Sequence, residues 1–175
     1  MKTKLLHGIL ILLVFLLQCT LVNLIAIGSI TPNLLIILCV SFGLMRGRKS
    51  GMWTGFFSGL LVDLFFGPVL GFYTLCYMYV GYLSGYAHRS LYDDDIKVPM
   101  FMTALADLGY NFAVYALQFL LRGRLSAAQY LIRIILPEMC YTTLLVLLVY
   151  RPIRALNYRY LISPWKERDS VWVLK

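Results

Sequence analysis

The sequence predicts an all-α integral membrane protein, a bundle of about six transmembrane helices. Of its 175 residues, 61% are hydrophobic and only 14% are charged, whereas soluble domains have about 45–50% apolar and about 25% charged residues. The chain carries a net charge of +8, but its basic residues lie between long apolar runs. This arrangement favours contact with a membrane surface and argues against a nucleic-acid partner.

Four apolar segments reach the roughly 20 residues that a helix needs to cross about 30 Å of hydrocarbon. These segments are Leu5–Ile27, Val69–Ala87, Val98–Leu121 and Gln129–Tyr150. A shorter pair, about Pro32–Met45 and Gly51–Phe66, is separated by the basic turn Arg46-Gly47-Arg48-Lys49. The pair forms either two short spans or a re-entrant hairpin, so whether both segments fully cross is open.

The distribution of Lys and Arg favours six spans, because these residues stay cytoplasmic in short loops. Six spans leave most basic residues on one side, and only Arg122, Arg124 and Arg133 at or near the outer face. We therefore expect a multi-pass protein with cytoplasmic N- and C-termini. Residues 1–150 would form the six-helix transmembrane domain, and residues 151–175 a basic, aromatic cytoplasmic tail that lies against anionic lipids.

A glycine or aspartate recurs every four positions from the segment Gly51–Phe66 into the segment Val69–Ala87. The series comprises Gly51, Gly55, Gly59, Asp63, Gly67 and Gly71. On a helix, its first part forms a ridge that another backbone can approach closely, either within the bundle or from a partner. Gly81, Ser84 and Gly85 offer a second small face. Asp63 precedes the Gly67-Pro68 turn by about one helical turn, so it would either cap that turn or contact a partner or ligand.

A second polar group lies in the last two segments. Asp107 and Glu138 are expected near the bilayer midplane, with Asn111 and Arg133 as hydrogen-bond and charge partners and with Pro137 bending the helix. The group would form a shared polar core, a site for a small molecule or lipid headgroup, or a catalytic centre. Neither acid has a nearby His or a known catalytic motif. We therefore expect no enzymatic activity, no cofactor and no metal.

Three motifs stand out: Pro32-Asn33-Leu34-Leu35, the basic turn before Gly51, and the run from Gly55 to Gly71 with its core Gly59-Leu60-Leu61-Val62-Asp63-Leu64. In these motifs the chain resembles the rod shape-determining protein MreD family. The resemblance covers about Leu5 to Tyr150. Asn33 stands where an Asp would be more typical of the family.

The resemblance implies a subunit of the bacterial cell-elongation machinery in the cytoplasmic membrane. Family members associate with MreC, a single-pass protein, and through it with the MreB filament, the RodA glycosyltransferase and a class B penicillin-binding transpeptidase. The family is also similar in architecture to the substrate-binding subunits of energy-coupling-factor transporters. That similarity keeps an alternative open, a small-molecule or lipid-binding transport subunit with a midplane pocket. Partner stoichiometry and the helices that face the partner do not follow from the sequence.

Overall fold

The described part of the chain is all-helical. A computed structural model describes residues 2–24, 31–67, 69–87, 96–122 and 135–157, and these residues form six α-helices and no strand. The helices are α1 (Lys2–Leu24), α2 (Leu34–Arg46), α3 (Arg48–Phe66), α4 (Phe72–Tyr86), α5 (Lys97–Arg122) and α6 (Leu136–Leu156). The predicted all-α class is confirmed.

Successive helices run in alternating directions, so the bundle has two chemically different ends. At the end that we call the basic end, Arg46 Nε donates to Asn157 Oδ1 at 2.8 Å, which joins the last turn of α2 to the end of α6. At the opposite end, which we call the Asn33 end, the Asn33 N–H donates to Thr142 Oγ1 at 3.2 Å. Among the basic residues with described side chains, all lie near the basic end: Arg46, Arg48, Lys49, Lys97, Arg151 and Arg154.

Helix α2 is the centre of the bundle. Every residue from Leu35 to Met45 is buried, and α2 contacts each of the other five helices. A helix that is apolar all round fits this position, because it has no polar face to present to solvent. Gly47 has φ 83°, a left-handed value that glycine adopts readily, and it turns the chain sharply from α2 into α3.

The bundle is apolar outside and polar in places inside. Large hydrophobic side chains are exposed on the five described helices that surround α2; Leu64 of α3 is 62% exposed and Leu148 of α6 is 68% exposed. Buried polar residues include Asp63, Asp107 and Asn111. Soluble proteins bury such apolar surface, whereas a helical membrane protein turns it toward lipid and satisfies its polar groups internally.

The lengths of the helices differ from the predicted spans. Among the described residues, α6 is the one helix that is long and apolar enough by length and composition to cross a membrane, and shorter apolar helices cover Leu5–Thr20 and Leu34–Arg46. The sequence predicted four segments of full length. Helix α4 is shorter than its segment because it begins only at Phe72, and α5 contains charged residues.

The last helix is also shifted relative to its prediction. Helix α6 begins at Leu136 and continues past Tyr150 to Leu156, with Pro152 inside it. Pro137 therefore stands in the first turn of the described helix, where a missing N–H leaves no intrahelical bond unmade. The predicted bend at Pro137 stays a prediction. Residues 129–134, which the prediction included in this span, lie outside the described residues.

Candidate functional site

The glycine ridge of α3 lies directly against α4. A Cβ atom built on Gly51 would be 2.2 Å from the Gly81 carbonyl oxygen, and one on Gly55 would be 2.1 Å from the Tyr77 carbonyl oxygen. A Cβ on Gly59 would be 2.5 Å from the Thr74 Cα. These distances are shorter than van der Waals contact, so only glycine permits the two backbones to pack this closely.

The second small face, on α4, completes the same contact. A Cβ on Gly81 would be 2.0 Å from the Gly51 carbonyl oxygen, and one on Gly85 would be 2.4 Å from the Arg48 Cα. Gly43 of α2 joins them, because a Cβ there would be 2.9 Å from the Gly81 carbonyl oxygen. The sequence analysis missed Gly43, which lies eight residues before Gly51 and thus continues the four-residue spacing into α2.

Asp63 binds the start of α4. Its Oδ2 accepts hydrogen bonds from the backbone N–H groups of Gly71 at 3.0 Å and Thr74 at 2.8 Å, and from the Thr74 hydroxyl. Its Oδ1 accepts one from the Tyr73 N–H at 3.0 Å. Helix N-termini leave N–H groups without intrahelical partners and carry partial positive charge. The buried Asp63 side chain supplies acceptors for these N–H groups and is a favourable neighbour for the partial positive charge.

The last two glycines of the series shape the connection that Asp63 bridges. Gly67 ends α3, and its N–H donates to the Asp63 carbonyl oxygen at 3.1 Å. Gly71 precedes α4 with φ 96°, a left-handed conformation that strains other residues. Pro68, between them, lies outside the described residues.

The six residues of the series therefore make contacts inside the chain. The surface of α3 that carries Gly51, Gly55 and Gly59 is covered by α4, and the carboxylate oxygens of Asp63 are occupied by backbone and hydroxyl donors. This geometry corresponds to the packing alternative for the ridge and to the capping alternative for Asp63. A helix from another protein would have to bind a different surface.

The second predicted group is partly brought together. Asn111 Nδ2 donates to Asp107 Oδ1 at 3.4 Å, and the Asn111 side chain also neighbours the Glu138 carboxyl group. Asp107 Oδ2 is buried without a hydrogen-bond partner among the described residues, although the Thr142 side chain lies near this carboxyl group. Arg133, the predicted charge partner, lies outside the described residues.

A cavity of about 330 Å³ adjoins this polar group. It reaches from the middle of the bundle to the Asn33 end, where α2, α4 and α6 begin, so it is not confined to the predicted midplane position. All six helices or their flanking residues contribute to its wall. The lining residues are Phe15, Gln18, Cys19, Thr31, Asn33, Leu35, Val62, Phe66, Tyr73, Tyr77, Tyr110, Asn111, Val114 and Glu138.

Three tyrosines on this wall were not predicted. The ring centroids of Tyr77 and Tyr110 are 5.0 Å apart, and those of Tyr73 and Tyr110 are 6.3 Å apart. The Tyr77 hydroxyl donates to Asn33 Oδ1 at 2.9 Å. Aromatic residues inside apolar runs give no signal of their own, whereas Asn33 stands immediately before an apolar run, a position typical of a helix N-cap.

Asn33→Leu is expected to lower the stability of the bundle by about 2 kcal/mol. Asn33 Oδ1 accepts from the Ile36 N–H at 3.2 Å and from the Tyr77 hydroxyl, so leucine would leave two buried donors unpaired. Tyr77→Phe removes one donor and should have a smaller effect, about 1 kcal/mol. Thermal unfolding in detergent measures both. An unchanged melting temperature in Asn33→Leu would contradict this role.

The fold and the site together define a class. Five of the six described helices expose large apolar side chains, whereas Asp63, Asn33 and the start of α4 form hydrogen bonds inside the bundle. This combination is characteristic of helical membrane proteins.

Comparison with known families identifies the family to which the chain belongs. The family described as rod shape-determining protein MreD matches residues 1–160, so this chain belongs to the MreD family. Family membership implies a role in rod-shape determination in the bacterial membrane, in a family that is not known for enzymes. No curated protein and no solved structure matches the chain, so the likeness to transporter subunits stays a prediction.

Proposed function

We propose that this chain is a non-catalytic membrane subunit of the bacterial cell-elongation complex. In this role it binds an MreC-like single-pass partner and supports lateral peptidoglycan synthesis and the regulation of cell shape. Through that partner it contributes to a complex with the MreB filament, the RodA glycosyltransferase and a class B penicillin-binding transpeptidase. Membership of the MreD family is the observation that carries the proposal.

The proposed orientation has all six helices in the cytoplasmic membrane and both termini in the cytoplasm. The clustering of described Lys and Arg side chains at the basic end supports it, because basic residues in short loops stay on the cytoplasmic side. The Asn33 end then faces outward. Helix α2 is only about 20 Å long at 1.5 Å per residue, so its ends depend on the surrounding helices for cover.

We further propose that the partner's helix packs on the outer face of α3. The ridge on the other side holds α3 against α4, so the outer face is rigidly supported. It displays Trp53 and Phe57, whose rings stack at 5.9 Å with an interplanar angle of 26°, followed by the exposed Leu60 and Leu64. Rigid exposed aromatic residues are typical anchors of protein interfaces.

Site-specific photocrosslinking tests this proposal. A photoreactive phenylalanine analogue at Phe57 in native membranes is expected to capture an MreC-like single-pass protein upon irradiation. The matched control carries the analogue at Leu148, which is exposed on α6 and should crosslink to lipid or to other proteins. Capture of the partner at Leu148 but not at Phe57 would overturn the α3 surface. No capture at either position, together with no co-purification from native membranes, would overturn the proposed function.

A further inference from the structure

We propose that the cavity at the Asn33 end is a binding site for an ammonium group, carried by a membrane lipid or by a free amine. This ligand site goes beyond the proposed assembly role and does not depend on it. The acidic wall of the site is Glu138, with Asp107 bonded to the lining residue Asn111, and the aromatic wall is formed by Tyr73, Tyr77 and Tyr110.

The acidic lining of the site favours a cation. Glu138 lines the cavity, and Asn111, which also lines it, donates to Asp107 Oδ1 at 3.4 Å. Among the residues that the structure describes, no Lys, Arg or His lines the cavity. An acidic side chain within a membrane normally has a partner. A bound cation would supply that partner.

The aromatic wall selects the type of cation. Tyrosine rings attract ammonium groups through their negative faces, and clusters of aromatic rings beside a carboxylate are a common means of recognising such ligands. Here the rings of Tyr77 and Tyr73 pack against Tyr110, with centroid distances of 5.0 and 6.3 Å. Asn111 also lines the cavity, and its amide oxygen adds a neutral acceptor. An organic ammonium matches this combination of groups better than a bare metal ion does.

The shape of the cavity favours a lipid as the source of the ammonium group. Phe66 lines the cavity and is itself 64% exposed, so the cavity reaches the apolar outer surface of the bundle. Phe15, Val62 and Val114 add apolar wall. A volume of about 330 Å³ is at the lower end of the range for ligand pockets. It suits a headgroup whose chains remain outside.

Ligand titration of the purified 175-residue chain in neutral detergent tests the proposal. The probes are dihexanoyl phosphatidylethanolamine, its N-acetylated form, which has the same chains but no cation, and ethanolamine, which has no chains. Native mass spectrometry measures the bound fraction, and thermal unfolding provides a second measurement because a ligand stabilises the state that binds it. We expect saturable binding of phosphatidylethanolamine and at least tenfold weaker binding of the acetylated lipid.

Glu138→Gln should weaken binding of the phosphatidylethanolamine by roughly tenfold or more. The control is Tyr79→Leu, because Tyr79 is an exposed α4 tyrosine outside the cavity, and this variant should bind like the natural chain. Should Glu138→Gln fail to fold, the comparison of phosphatidylethanolamine with its N-acetylated form on the natural chain still tests whether the site binds the ammonium group.

Equal binding of the acetylated lipid, or full affinity in a folded Glu138→Gln variant, would overturn the proposal. So would binding that emerges only in Arg133→Gln, because the chain's own guanidinium would then occupy the site. Ethanolamine binding as tightly as the lipid would support the ammonium site and identify a soluble amine as its source.

Discussion

Gly55→Leu is expected to leave almost no correctly folded bundle. A Cβ at this position would be 2.1 Å from the Tyr77 carbonyl oxygen and 2.9 Å from the Met78 Cα. These are backbone atoms of α4, so no rotation of a side chain can relieve the overlap, and the two helices would have to separate. Separation would remove the densest contact of the bundle, with an expected loss of at least about 3 kcal/mol.

The measurement is the yield of monodisperse protein and its melting temperature in mild detergent. Gly109→Leu is the matched control, because a Cβ on Gly109 has no atom within 4 Å and leucine favours both helix and lipid. We expect this control to keep the natural melting temperature. A Gly55→Leu protein as stable as Gly109→Leu would refute the close approach of α3 and α4.

Asp63→Ala is expected to destabilise the connection between α3 and α4 by about 3 kcal/mol or more. Alanine would remove the acceptor for three backbone N–H groups and one hydroxyl at the start of α4. Asp63→Asn should have a milder effect, because its single oxygen can still serve the donors that now share Oδ2. The NH₂ group of the asparagine would then stand where Asp63 Oδ1 accepts from the Tyr73 N–H, so that two donors would face each other and this hydrogen bond would be lost.

Melting temperatures rank these variants, and crosslinking at Phe57 separates stability from partner binding. We expect Asp63→Ala to melt lowest, Asp63→Asn next, and Thr74→Ser, which retains the hydroxyl that donates to Asp63, close to the natural chain. Loss of partner capture in Asp63→Asn at an unchanged melting temperature would instead make Asp63 a partner contact.

The helices and the glycine series could be predicted because they depend on local rules. Apolar runs mark the helices, and the four-residue spacing from Gly51 to Asp63 marks a ridge whatever covers it. The identity of the covering helix could not be predicted. Lipid and protein interior are both apolar, so the side of α3 that faces the protein is weakly encoded in hydrophobic periodicity.

The residues that line the cavity could be predicted from the sequence only in part. Glu138 and Asn111 were recognisable because polar residues are conspicuous in an apolar segment. Tyr77 and Tyr110 were not recognisable, since a tyrosine suits lipid interfaces and protein interiors equally. The depth of Glu138 in the bilayer stays a prediction, because residues 123–134 lie outside the described part of the chain.

The central position of α2 has a consequence for the order in which the protein is made. Helix α2 is the second to be synthesised, yet four of the five helices that surround it come later. Its N-cap residue, Asn33, donates its N–H to the hydroxyl of Thr142, which lies 109 positions later in the sequence. The packing around the central helix α2 is therefore completed only when α6, the last of the described helices, is inserted into the membrane.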